Sequence, residues 1–134
     1  MDAEATWYRV STKAVVIKAS KLLFVKEGTD LWDLPGGGLE HNETTVEGLA
    51  REVQEELGVH VKTNSDLPIF VWKTYDEANK RPIIVLGYKV ELASEDFVLQ
   101  EPVRDIAFID PAALTTNDFE PYVRDFYRNI LKLV

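Results

Sequence analysis

Apolar and polar positions change period along this chain, and the changes mark its elements. Val10 to Ala19 is apolar-rich and reads as a strand, with Ser20 and Lys21 turning into a second strand at Leu22 to Val25. Leu31 to Leu34 is a short strand that runs through Pro35 into a turn made of Gly36, Gly37 and Gly38. Three glycines in a row mark a place where backbone must approach something closely. The period then becomes helical. Val46, Leu49, Ala50, Val53 and Leu57 fall at intervals of three and four and form one apolar stripe. Thr44, with Glu47 three residues on, is a capping-box pattern, so the helix begins near Thr44 or Thr45. Gly58 fits the left-handed position just past its end. Val59 to Val61 begins another strand. Ile69 to Tyr75 and Ile83 to Leu92 flank the polar stretch Asp76 to Arg81, which suits a hairpin loop. Asp105 to Ile109 is a further strand, ended by Asp110 and Pro111. A last helix is predicted from about Asp118 to Leu133, with Phe119, Tyr122, Val123, Phe126, Tyr127, Ile130 and Leu131 as its stripe. Asn117 or Asp118 can cap it, and Pro121 is tolerated in its first turn. Strands with one helix inserted and one at the end predict helices packed on both faces of a sheet.

A length of 134 residues suits one domain, 1–134, with a real core, and 46% apolar against 28% charged residues is ordinary globular composition. With no cysteine there is no disulfide framework and no zinc–thiolate site. The start, MDAEATWYRV, lacks the basic patch and apolar run of a secretory leader, and no apolar run approaches a membrane span. A cytoplasmic protein without membrane partners is the expectation. The formal charge of −8 argues against sequence-independent binding of nucleic-acid polymers. A small anionic substrate stays compatible, because bound metal would reverse the local charge.

The predicted Thr44–Leu57 helix carries Arg51, Glu52, Glu55 and Glu56. At about 100° per residue, the three glutamates share an arc of roughly 100° beside the apolar stripe, on its polar side. Adjacent carboxylates repel one another and are easiest to tolerate around a cation. An oxygen-only donor set suits Mg²⁺, or Mn²⁺, rather than zinc. A solvated acidic face, with Arg51 paired to Glu55 or Glu47, is the competing reading. His41 and His60 lack a partner at metal-ligand spacing and read as surface residues.

Five residues separate Gly37 from Glu43, and seven separate Glu43 from Arg51. Glu52, aliphatic Val53, Glu55, Glu56, Gly58 and aliphatic Val59 follow in fixed register. The segment Gly37 to Val59 resembles the signature of the Nudix hydrolase family at every fixed position. With average residue usage, a chance match is on the order of 10⁻⁸ to 10⁻⁷, so coincidence is set aside. Asn42 stands where many members have Gly, and Asn tolerates positive φ better than most residues.

The resemblance implies an αβα sandwich with a mixed β-sheet. It implies a pyrophosphohydrolase that splits a nucleoside diphosphate linked to another group by attack of water on phosphorus. Glu52, Glu55 and Glu56 would hold the metals, joined by the Gly36 carbonyl. Glu52 or Glu55 would supply the general base. Gly37, Glu43, Arg51 and Gly58 would be structural, with Arg51 orienting a glutamate and Glu43 bracing the glycine loop. A further acidic ligand is expected at Glu101, with Glu95 and Asp96 as competitors. Lys26 falls where relatives place a phosphate-contacting base. Tyr75, sixteen residues after Val59, is placed like a tyrosine of the dinucleoside polyphosphate hydrolases. Trp7, Tyr8, Trp32 and Trp72 could stack on a base or sit in the core. The favoured substrates are nucleoside triphosphates or dinucleoside polyphosphates, with ADP-ribose or nucleotide sugars as the alternative. A non-catalytic nucleotide-sensing module is the competing class. The diphosphate isomerases of the fold need a cysteine this chain lacks. The sequence leaves monomer and homodimer both open.

Overall fold

Eight strands and three short-to-medium helices appear in the computed structural model, which describes residues 6–134. Residues 1–5, half of the stretch read for a leader, lie outside the described residues. The strands are β1 (Arg9–Val15), β2 (Ile17–Lys18), β3 (Lys21–Glu27), β4 (Gly36–Gly38), β5 (Val61–Asn64), β6 (Phe70–Asp76), β7 (Arg81–Leu92) and β8 (Val103–Ile109). The helices are α1 (Thr45–Leu57), α2 (Pro121–Arg124) and α3 (Tyr127–Leu131). One sheet runs β4-β1-β7, and the far edge of the long β7 is shared by β6 and β5. Only β1 and β7 pair in parallel; the other pairs are antiparallel. The second sheet runs β2-β3-β8. Among the described residues no helix is long and apolar enough to cross a membrane.

Strand alternation builds two cores. Ala14 and Val16, with Leu23 and Val25, pack against Leu49, Val53 and Leu57 of α1. Their strand neighbours Val15, Leu22 and Phe24 face the other way, against Phe119, Val123, Phe126 and Ile130. Helices therefore cover both faces, which makes this an α/β sandwich with mixed sheet.

Four local expectations change. The strand expected over Val10 to Ala19 breaks at Val16, where the chain passes from the first sheet to the second. The turn that follows uses Ala19 and Ser20, both at positive φ (50° and 61°), because a two-residue hairpin needs that hand of twist. Leu31 to Leu34 is not a strand: it makes only isolated bridges, Asp33 to Val25 and Trp32 to Phe119. The strand is the glycine run itself, paired with Ser11, Thr12 and Lys13. At Gly36 a Cβ would collide with the Thr12 carbonyl, and φ is +135°, so only glycine lets β4 lie this close to β1. The strand expected at Val59 to Val61 starts at Val61 instead.

The predicted helix over Asp118 to Leu133 is broken into a 3-10 turn at Thr116–Asp118, then α2 and α3. Pro121 does sit in the first turn, but Asp118 caps the preceding 3-10 turn. The break falls at Asp125 and Phe126. It lets the Phe126 ring lie flat on Trp72, centroids 3.9 Å apart and 4° from parallel, and also touch Phe70. Burying those rings outweighs a few helical hydrogen bonds in residues of modest helix propensity.

Candidate active site

The capping box forms as the sequence predicts. Thr44 Oγ accepts from the Glu47 amide at 3.1 Å, and Glu47 Oε1 accepts from the Thr44 amide at 2.9 Å. At the other end Gly58 takes the left-handed conformation, φ 71°. These two ends set the rotation of α1, and with it the direction of its carboxylates.

Arg51 organises the exposed half of the site. Its Nη2 and Nε donate to the two oxygens of Glu43 at 2.7 and 3.0 Å. Nη2 also reaches the Gly38 carbonyl at 3.1 Å, and Nη1 reaches Glu52 at 3.0 Å and Glu55 at 3.3 Å. Glu47, committed to the cap, is not its partner. Glu43 accepts a further bond from the Glu40 amide at 2.9 Å, so Arg51 and Glu43 together pin the glycine loop to the helix. The Arg51 hydrogen bonds, then the Glu40 amide, hold the Glu43 carboxyl at a pKa of about 2. The same bond to Glu43 drives the Arg51 pKa further above its ordinary value.

Glu52 and Glu56 lie under the glycine strand. The Glu52 carboxylate sits so close to Gly37 that a Cβ there would be 2.7 Å from its Oε1. Glu56, placed by the sequence on the polar side of the helix, is only 4% exposed. The glycine strand roofs it over, and its Oε1 accepts from the Gly36 amide at 2.7 Å. Burial, and next the neighbouring Glu27 carboxyl, push the Glu56 pKa well above the usual carboxylate range, against the pull of Lys13. Burial also raises the pKa of Glu52. Glu55 is more exposed.

On the other side of β4 lies a cleft of about 500 Å³. Its walls are the odd-numbered residues of β1 (Arg9, Ser11, Lys13), the glycines, the Asp76–Arg81 hairpin loop and the start of α2. Lys13 is 3% exposed. Its Nζ donates to Asp33 Oδ2 at 3.0 Å and to the carbonyls of Leu34 and Gly36 at 3.2 and 3.4 Å. The Tyr122 hydroxyl donates to the same Asp33 oxygen. Burial opposes the Lys13 charge, but Asp33, Tyr122 and Glu56 outweigh it, and its pKa lies well above the ordinary lysine value.

The structure brings Gly36, Gly37, Glu43, Arg51, Glu52, Glu55 and Glu56 together along the side of α1 that meets the glycine strand. It does not bring the outer candidates in. Lys26 lies over the Trp32 ring, 4.5 Å from its centroid. Tyr75 is exposed and alternates with Asp76, the strand residue that lines the cleft. Glu101 is exposed and outside the lining, and Glu95 pairs with Lys18 at 2.7 Å. Trp32 and Trp72 pack against the second core. Sequence reasoning missed Arg9, Lys13, Glu27, Asp33 and Tyr122. The alternation Arg9, Ser11, Lys13 in an otherwise apolar strand was a signal for the first two. Asp33 and Tyr122 are 89 positions apart, and no local pattern joins them.

The donor set fits a hard divalent cation. All candidate ligands are oxygens, and the buried Glu56 carboxyl is pressed against the carboxyl of the exposed Glu27. Carboxylates also outnumber cations in the cleft wall. Among the described residues no three side chains already converge on one point, because Arg51 draws Glu52 and Glu55 towards itself. Residues that would hold the ion are Glu52, Glu55 and Glu56, with Glu27 adjoining.

The raised Glu56 pKa carries a sign. Between about 4.5, its value when unfolded, and its higher folded value, the folded state binds the extra proton. Stability from this group is therefore full below 4.5 and lost as pH rises through the folded value. In EDTA, the urea midpoint of the wild type relative to Glu56→Gln should climb as pH falls from 7 towards 5. A constant difference would remove the buried, proton-hungry carboxyl from the account.

The NUDIX domain model matches residues 7–130. Nucleoside triphosphatase NudI of Enterobacter sp. (strain 638) is 33% identical over 103 residues, 69% of this chain and 71% of that protein. Phosphatase NudJ of Escherichia coli (strain K12) is 35% identical over 86 residues, 62% of this chain, which spans only 54% of NudJ's length. Among solved structures, a NUDIX hydrolase from Nitrosomonas europaea superposes with a TM-score of 0.75 at 20% identity, covering 92% of this chain and 87% of that one. The MutT protein from Methanosarcina mazei Go1 gives 0.72 at 20% identity, covering 97% of each chain. At those identities the structures speak for the fold alone. A family match over nearly the whole chain, landing on a helix whose Glu52, Arg51 and buried Glu56 are knitted to the glycine strand, makes this chain a member of the Nudix hydrolase family.

Proposed function

We propose that this protein is a Mg²⁺-dependent pyrophosphohydrolase of small nucleotides, with nucleoside triphosphates or dinucleoside polyphosphates as its substrates. The observation that carries the reading is the buried Glu56 carboxyl, bonded to the Gly36 amide and pressed against Glu27 beside an open cleft. A bound divalent ion supplies charge neutralisation of phosphate oxygens and an acidified water. The chain's own part is positional. The bond from the Gly36 amide to Glu56 ties the glycine strand to α1. Glu52, half-buried and with its proton affinity raised by burial, is suited to take a proton from the attacking water, and Glu55 is the competing base. Arg51 keeps both carboxylates oriented. The relative NudI is a nucleoside triphosphatase, which supports the triphosphate branch.

The test is product release from nucleoside triphosphates, Ap4A, ADP-ribose and nucleotide sugars, with Mg²⁺ and with EDTA. Metal-dependent cleavage of a triphosphate or of Ap4A is the expected result. Cleavage of ADP-ribose alone would correct the substrate class. Ligand-induced thermal shifts without turnover would replace the enzyme by a nucleotide-binding module.

A further inference from the structure

Gly38 is not one of the fixed positions of the family signature, which begins at Gly37, yet a side chain is impossible there without displacing something. A Cβ on Gly38 would strike the Arg9 guanidinium, with Nε 2.5 Å away. That guanidinium therefore lies against the backbone of the glycine strand. Its Nη1 donates to the Leu39 carbonyl at 2.7 Å, which fixes the plane of the fork. The opposite side of the same residue is also held, since the Gly38 carbonyl accepts from Arg51.

Arg9 and Arg81 both line the cleft. Arg9 pairs with Ile83 in the parallel β1–β7 register, and Arg81 is two residues before Ile83, on the same face. Two arginines thus line one wall in a chain whose net charge is −8, and Arg81 is paired with Asp76 at 4.0 Å. The third cation of the wall, Lys13, donates to three protein acceptors. A guanidinium has five donors, and among the described residues the Leu39 bond uses one. A planar fork preset against a wall recognises phosphate bidentately and loses little entropy on doing so.

We infer that Arg9, set in place by Gly38, anchors a phosphate beyond the bond that is split, and so selects substrates with three or more phosphates in line. This rests on the proposed function for the substrate's chemistry. Glu52 lies against Gly37 on the helix face of β4 and Arg9 against Gly38 on its cleft face, but Glu27, whose carboxyl adjoins Glu56, lines the same cleft as Arg9. A diphosphate held at the Glu27 end of that cleft has its next phosphate towards the arginine.

The experiment measures binding and turnover separately in four variants: Arg9→Gln, Arg9→Lys, Gly38→Ala, and Arg9→Gln with Gly38→Ala. Gln keeps a donor for the Leu39 carbonyl, and a methyl at Gly38 meets only the flexible end of Arg9, so each variant should fold, as thermal unfolding checks. Calorimetry with inorganic tripolyphosphate and pyrophosphate in Mg²⁺ is the first readout. Arg9→Gln should weaken tripolyphosphate about tenfold or more relative to pyrophosphate, the loss of one charge-assisted pair. Arg9→Lys should recover only part, because an ammonium lacks the fork. Gly38→Ala should reproduce the Arg9→Gln loss, and the double variant should be no worse than either. In turnover, the triphosphate-to-ADP-ribose ratio of kcat/KM should fall by the same factor. Unchanged tripolyphosphate selectivity in Arg9→Gln, or additive losses in the double variant, would overturn the anchor. Absent turnover with Arg9-dependent tripolyphosphate binding would sink the hydrolase reading and keep the anchor.

Discussion

Glu56→Gln should lower kcat by about 10² to 10³, the equivalent of a few kcal/mol of lost transition-state stabilisation. The variant should fold. Its amide oxygen can still accept from the Gly36 amide, and its NH₂ can donate to the neighbouring Glu27 carboxyl. A carboxyl this buried, 4% exposed, carries a large desolvation cost when ionised, so at neutral pH the neutral amide should leave the metal-free fold at least as stable. What disappears is the negative charge under the glycine strand. Glu55→Gln is the natural comparison, since the Glu55 side chain is 58% exposed and adjusts freely. Steady-state kinetics on whichever nucleotide the wild type cleaves, with circular dichroism on each variant, decides the matter. A folded Glu56→Gln enzyme with wild-type kcat would remove Glu56 from the metal site.

Lys13→Met should cost about 3 to 5 kcal/mol of stability, the penalty for stripping one partner from a buried ion pair. The ammonium serves three acceptors at once, and removing it leaves Asp33 with Tyr122 as its only remaining polar partner among the described residues. Asp33 Oδ1 is already buried without a hydrogen bond, so the site has no slack to absorb the loss. The double variant Lys13→Met with Asp33→Leu should recover most of the stability, because an apolar pair of similar volume needs no desolvation. Urea denaturation gives both numbers. A single-variant cost under about 1 kcal/mol would mean that this pair is solvated like a surface bridge.

The local elements and the chemistry of α1 were legible in the sequence for a physical reason. A capping box, a left-handed glycine and an apolar stripe act within one or two turns, so Thr44, Glu47, Gly58 and the Leu49–Val53–Leu57 line determine the helix and its rotation without help from afar. The acidic positions follow from that rotation. The alternating burial of β1 and β3 is equally local, and it carries the two-core sandwich with it.

Elsewhere the tertiary structure decided. The C-terminal stripe reads as one helix because periodicity reports which side is apolar, not what lies opposite; Trp72 and Phe70 on β6 claim Phe126 and break the helix there. Glu56 reads as solvent-facing because a wheel diagram has no roof, and the roof is β4, brought over by its pairing with β1. Lys26, near the glycine loop in sequence, is not among the basic residues of the cleft wall; Lys13 and Arg9 are set there by the β1–β4 register, and Arg81 comes from β7. Sequence by itself determined which carboxylates share a helix face and which family chemistry they belong to. Only the packing of strands decided which of them are buried and which cations stand near them, because burial and charge pairing depend on elements that meet from distant parts of the chain.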